Sequence, residues 1–221
     1  MAPRTCSLGG KAKLIMPSLD ALLSTLREQG APASHLERVA DLAALSQREP
    51  KLMAMFLVGS YAKGNGDRVS DLDLVAIAEK GTAQDVLRAV HEILGHQDVL
   101  NEFTGSHSAG GSFWKLVYLD FSSVEFHVFE PGTLFKLKRP YLTVWDPENL
   151  LPAYIAEGQP IGHADFAAYE YGDEGLIWEL VDCIKWLSRG RNDMAKHHLA
   201  KLAAEIKKCE SASGMSGESA S

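Results

Sequence analysis

Asp71 and Asp73 flank Leu72 in an apolar run that continues through Leu74 and Val75. On a strand, side chains alternate between faces, so the two acids share one face and Leu72 and Leu74 the other. Carboxylates this close repel each other and are awkward to keep ionised side by side. A divalent cation removes the conflict, and Mg2+ takes one or two carboxylates together with the phosphate oxygens of a substrate. Upstream, the apolar run 52–58 ends at Gly59-Ser60, and a polar loop carrying Lys63, Gly64, Gly66 and Arg68 leads to the acids. The Gly-Ser turn offers backbone N–H groups and a hydroxyl suited to holding phosphate.

The order of these pieces, an apolar run, Gly59-Ser60, a loop, then Asp71-Leu72-Asp73-Leu74, resembles the signature of the DNA-polymerase-beta-like nucleotidyltransferase superfamily. The resemblance covers residues 18–130 well and the remainder loosely. It implies a third carboxylate on a later strand. Two apolar runs, 114–121 and 123–129, are joined by a short turn and read as neighbouring strands. Glu125 sits mid-strand between Val124 and Phe126, where the family usually has Asp; Asp120, beside the turn, is the competing acid. His127 shares the face of Glu125 and either lines the site or packs as an ordinary histidine.

Asp71, Asp73 and Glu125 are therefore the catalytic acids and metal ligands that the resemblance implies. One Mg2+ on Asp71 and Asp73 would grip a triphosphate, and a second shared by all three would lower the pKa of an acceptor hydroxyl. Gly59 and Ser60 would cradle the terminal phosphates, with Lys63 and Arg68 the nearest cations for the leaving pyrophosphate. The implied reaction moves a nucleoside monophosphate, AMP from ATP or the equivalent from another NTP, to a hydroxyl of a small molecule. A protein hydroxyl, with the chain acting as a toxin or antitoxin component, and a non-catalytic module of the same fold are the alternatives.

These residues need strands and helices to position them. Residues 18–29 and 34–48 carry helical apolar stripes, Ser18 reads as an N-cap, and Ser34 with Glu37 reads as a capping box. Strands are expected at 52–58, 71–77 and 98–103, a helix at 82–94, and a flexible loop at the Gly/Ser-rich residues 105–112. The fold class is thus α+β: a small mixed β-sheet backed by helices, with a C-terminal helical region. Residues 1–130 form the catalytic domain, 131–210 a connector and the C-terminal helices, and 211–221 a disordered Ser/Gly/Ala tail. In the connector, Lys136, Lys138 and Arg139 form a basic cluster, read either as a solvated loop or as a phosphate contact. Helices are expected at 166–189, with Leu176, Ile177, Leu180, Cys183, Ile184 and Leu187 as the apolar side, and at 192–208. This helical part resembles, loosely, that of the small-molecule (antibiotic) nucleotidyltransferases. In that comparison, acids around the stripe, Glu174 and Glu179 above all, would attract a cationic acceptor or form an ordinary solvated face.

The chain of 221 residues, 46% hydrophobic, is long enough for a sizeable core. A net charge of -7 and a pI near 5.6 argue against a nucleic-acid partner. No run is long enough for a membrane span, and residues 1–16 do not read as a signal peptide. Three scattered cysteines, Cys6, Cys183 and Cys209, suit neither a metal site nor a disulfide framework and favour a cytoplasmic setting. Oligomeric state is not legible at this level.

Overall fold

A computed structural model describes residues 18–96, 98–108, 110–158 and 167–215. Two helices open it, α1 (Leu19–Glu28) and α2 (Ala33–Arg48). The Ser18 hydroxyl accepts the Ala21 N–H at 3.2 Å, the expected cap. α2 starts one residue earlier than expected, behind Pro32, so Ser34 lies inside the helix and its hydroxyl turns to Asp120 at 3.5 Å. Proline at this boundary needs no N–H partner, which lets it replace the capping box.

The sheet contains β1 (Leu52–Leu57), β2 (Leu72–Ala78), β3 (Val99–Ser106), β4 (Ser112–Tyr118), β5 (Ser123–Phe129) and β7 (Leu142–Trp145), in the order β3-β4-β5-β2-β1-β7. A single helical turn, α3 (Gly59–Ala62), follows β1, and α4 (Ala83–Leu94) follows β2. Only the β2–β5 pair is parallel; the others are antiparallel, so the sheet is mixed as expected. Of the stretch 105–112, Gly105 and Ser106 extend β3 and Ser112 opens β4. β7, in the connector, was not foreseen. Two short strands there, β6 (Leu137–Lys138) and β8 (Ile155–Ala156), pair in parallel apart from the main sheet.

The alternation along the central strands sorts side chains onto two faces. Leu72, Leu74, Ala76, Leu116, Tyr118, Val124, Phe126 and Val128 face α1, α2 and α4 and form the main core with Leu26, Val39, Leu42, Val86 and Val90. The other face carries Phe56, Val75, Ile77 and Phe129 under the connector. Farther along it, Phe103, Phe113 and Val117 lie under the helix α5 (Gly172–Ser188). With both faces covered, β2 and β5 read as almost unbroken apolar runs, and the few polar side chains in them stand out. A last helix, α6 (Asn192–Met215), packs on α5 and continues into the stretch expected as a tail. Residues 1–17 and 216–221, which include Cys6 and the end of that tail, lie outside the described residues. Among the described residues no helix is long and apolar enough to cross a membrane.

Candidate active site

The parallel pairing of β2 and β5 sets Asp73 beside Glu125, and the antiparallel pairing of β5 and β4 sets Glu125 beside Lys115. One row across the sheet thus reads Asp73, Glu125, Lys115, Phe103. Asp71 lies just ahead of β2, next to Ser123, whose hydroxyl donates to it. The sheet therefore brings all three sequence-predicted acids together. Asp120 is elsewhere: it sits in the β4–β5 turn and accepts from the Ser122 N–H at 2.9 Å.

Gly59 closes one side of the site. Its φ is +66°, a conformation glycine adopts without cost. A Cβ built there would stand 1.7 Å from Asp73 Oδ2, so only the bare glycine lets the turn lie against the carboxylate. The Val58 N–H donates to the Asp73 carbonyl at 2.9 Å and fixes the two segments together. Gly59→Ala is expected to cost about 1–3 kcal/mol through backbone strain alone. It should also push Asp73 out of place. Chemical denaturation and a transfer assay check the two effects, and a fully active, fully stable variant would contradict the packing described.

α5 closes the opposite side and brings groups that the sequence reading did not assign. The Lys185 side chain is only 4% exposed. Its ammonium pairs with Asp71, donates to the Ser123 hydroxyl at 2.8 Å and lies 3.4 Å from Asp182. Lys115 Nζ lies 2.7 Å from Glu125 Oε1. The Trp178 ring sits by both ammoniums, 4.7 Å from Lys115 Nζ and 5.2 Å from Lys185 Nζ. His127 lines the site, with Nε2 3.4 Å from Glu125 and Nδ1 2.7 Å from His107 Nε2. Arg189 holds the loop after the Gly-Ser turn through two 2.7 Å contacts to Asp67 and one of 3.1 Å to Ser70.

Charge sets the protonation of this cluster. Burial, then the neighbouring Asp71 and Glu125, push the Asp73 carboxyl well above the usual range. Burial opposes ionisation of Glu125 too, but Lys115 and then His127 outweigh it and hold that carboxyl below its usual range. Burial raises Asp182 to about 7 against the pull of Lys185. For Lys185, burial works against the charge, and Asp71 and Asp182 overcome it. Four carboxyls, Asp71, Asp73, Glu125 and Asp182, thus face two ammoniums, Lys115 and Lys185. If all are ionised, two negative charges go unmatched, which one divalent cation would balance.

Hard carboxylate oxygens are the donors Mg2+ prefers, and the Lys185 ammonium already shows a cation seated on Asp71. The donor chemistry therefore fits a divalent metal. Among the described residues no set of three or more His, Cys, Asp and Glu side chains stands ready-made around one metal position.

Ser60 is half-buried in α3 beside Gly59, while Lys63 and Arg68 are exposed on the loop with no ion pair. Of the connector cluster, Lys136 donates to the Ala153 carbonyl at 2.8 Å and Arg139 lies over the Tyr141 ring at 5.4 Å. Glu179 is taken up by His198 at 2.8 Å and by the Tyr169 N–H at 2.7 Å, whereas Glu174 is exposed. Asp182 is the acid of that run which reaches the site.

Comparison with known proteins bears on part of this sheet, including the acids behind the Gly-Ser turn. Residues 42–109, from within α2 into the β3–β4 connection, match the family model described as nucleotidyltransferase domain. Over those residues the chain is similar to the nucleotidyltransferase domain family. The match takes in Gly59, Ser60, Asp71 and Asp73 and stops short of Glu125. No curated protein matches. Among solved structures, one described as the structure of a GLD-2/RNP-8 complex aligns at a TM-score of 0.31 and 19% identity, over 51% of this chain. The chain covers 44% of that structure's length.

Proposed function

We propose that the chain is a Mg2+-dependent enzyme that moves a nucleoside monophosphate, AMP from ATP in the first instance, to a hydroxyl of a small molecule, releasing pyrophosphate. The observation that carries this reading is the convergence of Asp71, Asp73 and Glu125 at one end of the paired strands β2 and β5 behind Gly59-Ser60, within the stretch that resembles a nucleotidyltransferase domain. Asp71 and Asp73 would hold the metal, and Glu125 would complete the set. When bound, Mg2+ supplies positive charge for the phosphoryl oxygens and acidifies a hydroxyl.

The chain's own groups do the remainder. Ser60 and the backbone N–H groups of the turn orient the terminal phosphates. Lys185 leaves Asp71 for a phosphate oxygen, so one ammonium serves both the empty and the loaded site. Glu125, kept ionised by Lys115 and His127, keeps its negative charge beside the attacking hydroxyl and would serve as a metal ligand there. The Trp178 side of α5 limits water around the reacting atoms. Positioning and electrostatics carry most of the rate in phosphoryl chemistry, and this face is built for both. A cytoplasmic setting, where NTP is abundant, suits the reading.

The test is incubation with Mg2+ and each labelled NTP, against a panel of hydroxylated small molecules and a cell extract. Label on a small molecule supports the proposal, and label on protein bands redirects it to a protein hydroxyl. No transfer and no NTP binding would leave a non-catalytic module. Glu125→Gln is expected to lower transfer by about 100-fold or more, the scale for losing one preorganised charge at the reacting atoms, while keeping most NTP affinity. Asp120→Asn should change neither. Reversed outcomes in rate and binding assays would move the third acid to the turn.

A further inference from the structure

α5 turns Trp178, Val181, Asp182 and Lys185 toward the sheet, and its opposite side is apolar and uncovered. Ile177, Leu180, Ile184 and Leu187 are 38%, 40%, 48% and 48% exposed. On a helix these positions form one continuous stripe. Of the apolar side read from the sequence, Cys183 is buried, while these four residues face out. Two more exposed apolar residues, Met194 and Leu199, lie on the neighbouring helix α6. Contiguous exposed apolar surface of this kind marks an interaction site.

We propose that this face of α5 is the contact between two copies of the chain, paired antiparallel about a two-fold axis. The spacing of the stripe is the first ground. Its steps of three, four and three residues are symmetric, so an axis between Leu180 and Ile184 sets Ile177 against Leu187 of the second copy and Leu180 against Ile184. An isologous contact needs this self-complementarity, in which each residue meets its mirror position.

Charge is the second ground. Glu174, at the start of the stripe, is exposed, as is Arg191, just past its end, and among the described residues neither makes an ion pair. Glu174 lies about 12 Å from the midpoint along the axis, at 1.5 Å per residue. Antiparallel pairing brings it to the opposite end of the other α5, where Arg191 stands. The same arrangement opposes the two helix dipoles favourably. A parallel pair would instead set Glu174 against Glu174. This contact is independent of the reaction assigned above, although the helix that makes it also carries Lys185.

Sedimentation of the full chain tests the contact. The wild-type chain is expected to run as a dimer that dissociates on dilution. Leu180→Glu and Ile184→Glu should each weaken association by about 100-fold or more, since the axis places the new charge in the apolar contact twice. Both positions are exposed, so circular dichroism and melting should stay close to wild type. Glu174→Arg and Arg191→Glu should each weaken the dimer about fivefold, and the double exchange should restore it. In Ile184→Cys, a short bismaleimide should join the two copies through residue 184. A wild-type chain that stays monomeric overturns the proposal, as does a dimer indifferent to these substitutions. A link from residue 184 to Cys6 of the same chain would give the stripe to the chain's own N-terminal segment instead.

Discussion

Lys185→Met is expected to destabilise the metal-free chain by about 3–5 kcal/mol, the scale for removing one member of a buried ion pair. The ammonium is nearly inaccessible and is shared among Asp71, Ser123 and Asp182. Without it, Asp71 and Asp182 lose their contacting counter-charge, and desolvated carboxylates cost more than the lost contact itself. The double variant Lys185→Met with Asp71→Asn should recover much of the loss, because it removes the orphaned charge together with its cause. Urea denaturation in the presence of a chelator measures both. If the single variant loses less than about 1 kcal/mol, the range of an exposed pair, the clasp is a surface contact. Transfer by the single variant should also fall, since no other buried ammonium borders Asp71.

The two aspartates should respond oppositely to the same substitution. Asp71→Asn and Asp73→Asn should each abolish transfer, as each removes a metal oxygen. In the absence of metal they part. Asp71 is ion-paired, so its loss strands Lys185 and lowers the melting temperature. Asp73 has no such partner, and burial with like charges on either side makes its ionised form unfavourable. Asp73→Asn is therefore expected to raise the metal-free melting temperature. The direction with pH follows. A carboxyl whose folded pKa lies above its unfolded value favours the fold below the unfolded pKa, and that contribution fades as pH rises through the folded value. Mild acidification should stabilise the wild-type chain more than Asp73→Asn in this window. Equal shifts in the two single variants would contradict the unequal pairing of the acids.

The acids were legible in the sequence because strand alternation leaves little freedom. Asp71, Asp73 and Glu125 interrupt apolar runs, and a polar residue in a strand covered on both faces has few reasons to be there. The lysines were less visible. Lys115 lies in such a run and could have been read by the same rule. Lys185 and Asp182 belong to α5, where the periodic signal pointed to the wrong side. The buried residues of that helix are Gly175, Trp178, Val181, Cys183, Lys185 and Trp186, so two apolar sides flank the axis and the lysine sits within the covered one. Periodicity reports which residues share a face and is silent on what covers it. β7 was missed for a related reason: four residues after a proline-rich stretch carry little pattern, and their place beside β1 is decided by pairing far away in sequence.

The clasp between Lys185 and Asp71 also sets an order of assembly. Its partners are 114 residues apart, whereas the β4–β5 hairpin joins residues close in the chain. Local pairings form first, and closure of long loops waits until the contacts that reward it exist. During synthesis β1 to β5 leave the ribosome well before α5. In that interval the acids lie on a sheet with one wall missing, and their mutual repulsion works against the central strands that hold them. The face that carries the chemistry is thus among the last to mature, and a nascent chain gains its activity with the helix that neutralises the acids, not with the strands that bear them.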